Sequence, residues 1–490
     1  MVFSSLHFLT VFLPLFLISY YLIDVKYKNL CVLLYSLGFY FYGCFDNPHY
    51  VLILIASLLI NYLFGLWIDR TSSFRKALLV IAILFNVSIL FVFKYFDFFI
   101  DIINYLINAN SFLSVFSNSL KIHKLNLVLP IGISFYTFQI MSYIFDVYYK
   151  KIEVEKNFIN LSTYIIMFPQ LIAGPIIRYS DVKKDIEKSR NVNVINFLSG
   201  LRVFIFGLGS KVIIANQLSA IQIDVNVFNV SELSASTIWL QSIAYGLQLY
   251  FDFFGYSLMA IGLGKMMGIS IMKNFDEPFK AITAGEFWRR WHISLGSWFK
   301  DYMLYPILMS KRMASIRTFL STHISKSFGN FVVNFIAMFI VWFTTGLWHG
   351  AHVNYVLWGL YFFVFMVLEQ LFIGKLVKNQ RLLGHIYLII VVIVSFTIFS
   401  NENLSNLIFK IQKMWQLNTS FFDEHCYNIF ITNLKAIVIG VLFATTIPQR
   451  SYKRISSIKY IDVVVVACIL ALSVYLIYKG YNDPFMYFRF

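Results

Sequence analysis

Apolar stretches recur along the whole of this chain, at 6–23, 29–46, 49–68, 77–93, 127–148, 158–174, 195–220, 237–265, 331–348, 353–374, 385–400, 428–447 and 461–478. A backbone in lipid must satisfy its own hydrogen bonds, so such a chain folds as membrane helices. One span needs about 20 apolar residues. Several runs are shorter, 95–107 is a further short element, and the series predicts about eleven to thirteen membrane helices. Charged residues make up 13% of the chain, about half the usual globular share, and mean hydropathy is +0.71. The fold class expected is an all-α polytopic membrane protein. No linker rich in Pro, Gly or Ser divides it, so 1–478 reads as one membrane domain and 479–490 as a tail. The N-terminal run lacks a basic region and a small-residue cleavage site, and reads as a first span rather than a removed signal.

The net charge is +16. In a soluble chain that raises nucleic-acid binding; in a membrane chain it reads as basic loops kept on the cytoplasmic side, and no nucleic-acid partner is expected. The basic loops at 69–76, 178–190 and 448–459, and the segment 289–330, are assigned to the cytoplasm. The loop 221–236 has no Lys or Arg and is assigned outside. The segment after 401 follows it, although Lys410 and Lys413 blur the rule. A last span at 461–478 then puts the C-terminus outside. Four scattered cysteines show neither metal spacing nor a disulfide framework.

Two histidines stand apart. His349, in "TTGLWHGAHVNYVLWG", lies between long apolar runs, where an ionisable residue is costly and marks a functional site by default. The competing reading is a neutral histidine hydrogen-bonded between helices. His349 and His352 have ligand spacing, but no Cys or carboxylate joins them, and no metal site is assigned. His292 lies in "FWRRWHISLGSWFKDY", residues 287–302. There Phe287, Trp291, Leu295, Trp298 and Tyr302 share one helical face, and the segment reads as an interfacial helix on the cytoplasmic leaflet. Its neighbours alone make His292 a surface histidine. The other histidines read as structural.

With these residues in view, the chain resembles a membrane-bound O-acyltransferase, MBOAT, of the bacterial AlgI- and PatA-like branch, related to DltB. The resemblance covers nearly the full length. It rests on "MVFSSLHFLTVFLPLFLISYY", "LPIGISFYTFQIMSYIFDVYY", "FPQLIAGPIIRYSD", "YGLQLYFDFFGYSLMAIGLGKMMG", "PFKAITAGEFWRRWHISLGSWFKDYM" and "GLWHGAHVNYVLWGLY", in that order. Phe254 and Leu258 stand where the family often has Ser and Asp, which leaves the subfamily open.

The resemblance implies a ring of helices thinned at its centre, with funnels from both faces and interfacial helices. It implies catalytic roles for His349 and His292, with no tightly bound cofactor. An acyl group, acetyl in this branch, comes from a cytoplasmic thioester, acetyl-CoA or an acyl carrier. It goes to an extracytoplasmic SGNH-type partner that acetylates peptidoglycan or another surface polysaccharide. D-alanyl transfer to teichoic acid is the alternative; a glycan or lipid-linked sugar transporter is the rival from another class. The location implied is the bacterial cytoplasmic (inner) membrane, among its lipids. Arg289, Arg290, Lys300 and Trp291 are donor-binding candidates, against ordinary positive-inside bias for the basic ones.

The tail ends in "PFMYFRF". It resembles the aromatic C-terminal motif of the small DltX partner of the D-alanylation systems, whose tyrosine is proposed as a covalent acyl carrier. Tyr487 matches that tyrosine, with Phe485, Phe488 and Phe490 seating it. The alternative is an aromatic anchor at the headgroup level. For the carrier, His349 is assigned as base, and His292 assists by stabilising the oxyanion or protonating the leaving thiolate.

Overall fold

A computed structural model describes residues 2–109, 122–172, 174–188, 190, 192–416, 421–456, 458, 460–480 and 486. Among the described residues every regular element is helical. Seven helices are long and apolar enough to cross a membrane: Tyr50–Arg70, Arg75–Asn108, Val194–Asn226, Lys326–His349, Val353–Asn379, Arg381–Ser400 and Ile461–Tyr478. An eighth would join Glu424–Thr432 to Leu434–Phe443 across a 67° bend.

The expected eleven to thirteen spans therefore include runs that are apolar without being single long spans. Lys28–Gly43 and Ile133–Tyr148 have 16 residues each, about 24 Å of helix against a core of about 30 Å. The 158–174 run breaks at Met167, whose extended backbone separates Phe158–Ile166 from Phe168–Leu171. Pro169 is tolerated in the first turn of the second piece. Ala235–Met267 has 33 residues, is buried on almost every side and carries Gln241, Gln248 and Asp252. It is the central helix of the molecule, not a lipid-facing span.

That helix crosses Val194–Asn226 at backbone contact. A Cβ on Gly207 would meet the Gly255 carbonyl oxygen at 2.5 Å, and one on Gly200 would meet the Gly262 carbonyl oxygen at 2.7 Å. Both partners are backbone, so neither can yield cheaply. Gly207→Ala is expected to cost about 1–3 kcal/mol by forcing the helices apart; a lowered thermal unfolding midpoint in detergent checks it. One turn from this contact, Lys211 Nζ meets Asp252 Oδ1 at 2.7 Å with both side chains buried.

Ile461–Tyr478 runs parallel to Val194–Asn226. Asp462 pairs with Arg202, and Ile469 and Ser473 lie against Gly209 further along. Its end at Tyr478 thus lies on the face where the 227–234 loop lies. The segment after 401 is on that face too. Lys410 Nζ donates to Gln241 Oε1 at 2.9 Å, and Ser236 N–H donates to the Phe421 carbonyl at 2.9 Å. Lys410 is a buried packing residue, not a loop charge, which is why it blurred the orientation rule.

The segment 287–302 is not one interfacial helix. Ala284–Arg290 and Ile293–Phe299 are separate helices, joined by an extended Trp291 and a left-handed His292. The apolar face read from the sequence exists, but Phe287, Trp291, Leu295, Trp298 and Tyr302 are buried inside the protein rather than laid on lipid.

Candidate active site

His349 ends the Lys326–His349 helix because Gly350 turns to an extended conformation. The Tyr355 ring fills the space a Cβ on Gly350 would take. A helix end leaves carbonyls without intrahelical partners. Here Tyr95 Oη donates to the Leu347 carbonyl at 2.8 Å, and Lys94 Nζ to the Trp348 carbonyl at 2.5 Å. The end of the helix is thus tied to the Arg75–Asn108 span.

His349 itself is 4% exposed. Trp358, Trp348 and Phe399 surround it, with ring centroids at 4.8, 5.0 and 5.3 Å. Neither ring nitrogen has a hydrogen-bond partner among the described residues. The reading as a histidine hydrogen-bonded between helices therefore finds no partner there. The indole N–H groups of Trp288 and Trp348 are likewise unpartnered there. A buried polar group left so costs about 1–3 kcal/mol, which fits a site that receives its partner with the substrate.

His292 is fully buried, so the surface reading of it fails. Its Nδ1 is 3.3 Å from Asn274 Oδ1. That oxygen also accepts from the Ser294 N–H at 3.1 Å and the Ser294 hydroxyl at 2.9 Å. The backbone donor fixes it as oxygen, so Nδ1 carries the proton and Nε2 holds the lone pair. Burial lowers the His292 pKa, and the ring is neutral at neutral pH. A neutral ring in this tautomer accepts at Nε2, and donates there only after gaining a proton. The Trp348 indole lies beside both histidines, its centroid 5.0 Å from His349 and 5.9 Å from His292.

A small cavity of about 20 Å³ opens between His349, Trp288, Trp291, Trp358, Ser395 and Phe399, room for about one water. A second, of about 570 Å³, is lined by Arg289, Lys300, Gly285, Trp288, Trp342 and Thr345 among others. Trp288 belongs to both walls. Two of the donor-binding candidates, Arg289 and Lys300, thus share one cavity. Arg290 is turned away, bonded to Glu286 at 3.0 Å and near Asp276 at 3.7 Å. Trp291 faces the His349 cavity instead. His352 does not join His349: it is half-exposed and 3.8 Å from Glu402.

Phe485, Tyr487, Phe488 and Phe490 lie outside the described residues. Met486 is described. Its backbone N–H donates to Asp252 Oδ2 at 3.0 Å, and it packs against the core. Phe253, next to Asp252, meets the His292 ring edge-on at 4.6 Å.

Lys94, Asn274, Trp288 and Asp252 were not singled out from the sequence. The rule that found His349, an ionisable residue inside an apolar run, applies equally to Lys94, Lys211 and Asp252. Asn274 and Trp288 carry no comparable signal.

A family model described as MBOAT, membrane-bound O-acyltransferase family, matches residues 71–322. The chain is 34% identical over 449 residues to the probable alginate O-acetylase AlgI of Pseudomonas aeruginosa, covering 90% of this chain and 79% of that protein. It is 31% identical over 393 residues to the peptidoglycan O-acetyltransferase of Helicobacter pylori, covering 74% and 68%. It is 30% identical over 252 residues to the teichoic acid D-alanyltransferase of Bacillus subtilis, covering 50% and 60%.

Proposed function

The chain belongs to the membrane-bound O-acyltransferase family, and from that premise we propose that it moves an acetyl group from a cytoplasmic thioester, through Tyr487, to an extracytoplasmic acceptor. That it is a multi-pass membrane O-acyltransferase follows from the family and the fold. The donor and carrier are inferred from the site together with the resemblance, the acceptor from the relatives, and the partner from the resemblance. One observation carries the reading: the N–H of Met486, the residue before Tyr487, sits on Asp252, beside the residue that packs on His292.

Coenzyme A is large and polyanionic and stays on its own side of the membrane. The 570 Å³ cavity offers Arg289 and Lys300 to its phosphates. A tyrosine hydroxyl, with an unperturbed pKa of about 10, needs a base. His349 takes the phenolic proton as the Tyr487 oxygen bonds to the thioester carbonyl carbon. The unpartnered indole N–H groups of Trp288 and Trp348 are the donors at hand for the developing oxyanion. The C–S bond then breaks, and the proton returns from His349 to the thiolate. His292 assists by relaying that same proton: its Nε2 accepts it from His349 and passes it to the thiolate.

The aryl ester stays activated, because a phenolate leaves more readily than an alkoxide. A serine of a periplasmic or extracellular SGNH-type partner takes the acyl group, and its hydroxyl proton passes to the phenolate. The acceptor we favour is peptidoglycan or another surface polysaccharide, since the relatives named for O-acetylation cover more of this chain than the D-alanyltransferase does. We read the C-terminus as extracytoplasmic; the basic loops and the parallel course of the last helix support that reading. The expected site of action is the bacterial inner membrane.

Mass spectrometry of the C-terminal peptide after incubation with acetyl-CoA tests the reading, with acetyl expected on Tyr487. A D-alanyl mass from a D-alanyl donor, with none from acetyl-CoA, would shift the substrate class. An unmodified peptide during turnover would remove the carrier. Arg289→Ala and Lys300→Ala are each expected to raise KM for acetyl-CoA about ten- to hundredfold, since a hydrogen bond to a charged group contributes about 1.5–3 kcal/mol, with kcat little changed. Steady-state kinetics on the purified variants checks this.

A further inference from the structure

We propose that the buried Lys211–Asp252 pair is the docking site for the chain's own C-terminal segment, gripping it by the Met486 backbone N–H. The two oxygens of Asp252 are divided. Oδ1 meets Lys211 Nζ at 2.7 Å, and Oδ2 accepts the Met486 N–H at 3.0 Å. Both side chains of the pair are 1% exposed.

The simpler account is a clamp between two helices. The helices already hold each other without it, because Gly207 and Gly255 bring their backbones into contact one turn away. A buried ion pair is poor evidence for stability, since desolvation offsets most of its attraction. At membrane depth charged residues mark function by default. Lys211 also lies within a widened turn, Ser210–Ala215, a distortion found often at functional sites.

The docked N–H sets the depth of the tail. Met486 is held at the level of Asp252, one residue along the central helix from Phe253, which touches His292. From Tyr478, where the last helix ends, eight residues reach Met486, an extended length of about 26 Å. The contact therefore fixes the height of the Met486 backbone along the central helix. Lys211 Nζ is the ion-pair partner of the same carboxylate, and a charge-assisted hydrogen bond is the stronger kind. Lys211 and Asp252 are thus positioning residues. What the docked tail is for rests on the carrier reading above; that it docks does not.

The test compares full-length proteins in detergent. The readout is the rate at which a carboxypeptidase releases the C-terminal residues. In one protein the chain is completed by ligating a synthetic C-terminal peptide whose Met486 nitrogen is methylated, which removes only the donor. In a second, Lys211→Met and Asp252→Leu together replace the pair by apolar groups of similar length. Release about tenfold faster than in wild type is expected in both, with thermal unfolding of the N-methyl protein unchanged. Wild-type protection in the N-methyl protein would overturn the docking site, whether or not the double variant folds. Tyr487→Phe is the separating control. It is expected to keep wild-type protection, so normal acyl transfer by that variant removes the carrier and leaves the dock. Loss of transfer in it with an unprotected N-methyl tail supports both.

Discussion

Acyl transfer by His349→Ala is expected to fall by about 10²–10⁴-fold, the range a positioned general base contributes. The structure explains why this loss should report chemistry rather than unfolding. Neither imidazole nitrogen of His349 has a hydrogen-bond partner among the described residues, so truncation orphans no described group. What it removes is a ring packed among Trp348, Trp358 and Phe399. His349→Phe keeps a ring of similar size there and removes only the nitrogens. It should match the alanine variant in transfer and the wild type in thermal unfolding. Rates are to be measured on purified protein with acetyl-CoA and the acceptor partner. Wild-type transfer by either variant would sink the catalytic assignment.

Much of this fold is legible in its hydropathy, and the limits of that legibility are physical. Apolar runs report exclusion from water, and both lipid and protein interior satisfy that. Ile133–Tyr148 is apolar because it is buried by neighbours, and hydropathy alone does not separate it from a span such as Arg381–Ser400. The count of about eleven to thirteen spans adds such shorter apolar helices to the seven that pass on length. Periodicity found the right face of 287–302, but not the break within it. That break depends on Asn274, which bonds both Ser294 and His292 from outside the segment.

The site divides along the same line. His349 was readable because one polar residue in an apolar run is a local signal. The partners that shape its surroundings come from far away in sequence: Lys94 holds the Trp348 carbonyl, and Trp288 separates the two cavities. Arg289 and Arg290 are adjacent and look equivalent in a sequence, yet one lines the large cavity and the other is bonded to Glu286. A helix turns by about 100° per residue, so neighbours face different surroundings.

Tyr487→Phe carries the sharpest consequence. The substitution removes one oxygen and keeps the ring. An aromatic anchor at the headgroup level is served as well by phenylalanine, so the anchor reading expects no change in transfer or membrane retention. The carrier reading expects transfer to the acceptor to fall by at least about 10³-fold, because a covalent relay without its nucleophile has no bypass across the membrane. Arg289 and Lys300 are untouched by the change, so donor binding should persist. The C-terminal peptide should then carry no acyl group where the wild-type peptide does. The contact of Met486 with Asp252 strengthens the contrast, since it brings the residue before Tyr487 beside the helix turn that packs on His292. An anchor has no use for that contact, whereas a carrier that must meet a buried base requires one like it. Transfer at the wild-type rate in Tyr487→Phe, with expression matched, would leave the hydroxyl without a role and return the tail to the lipid.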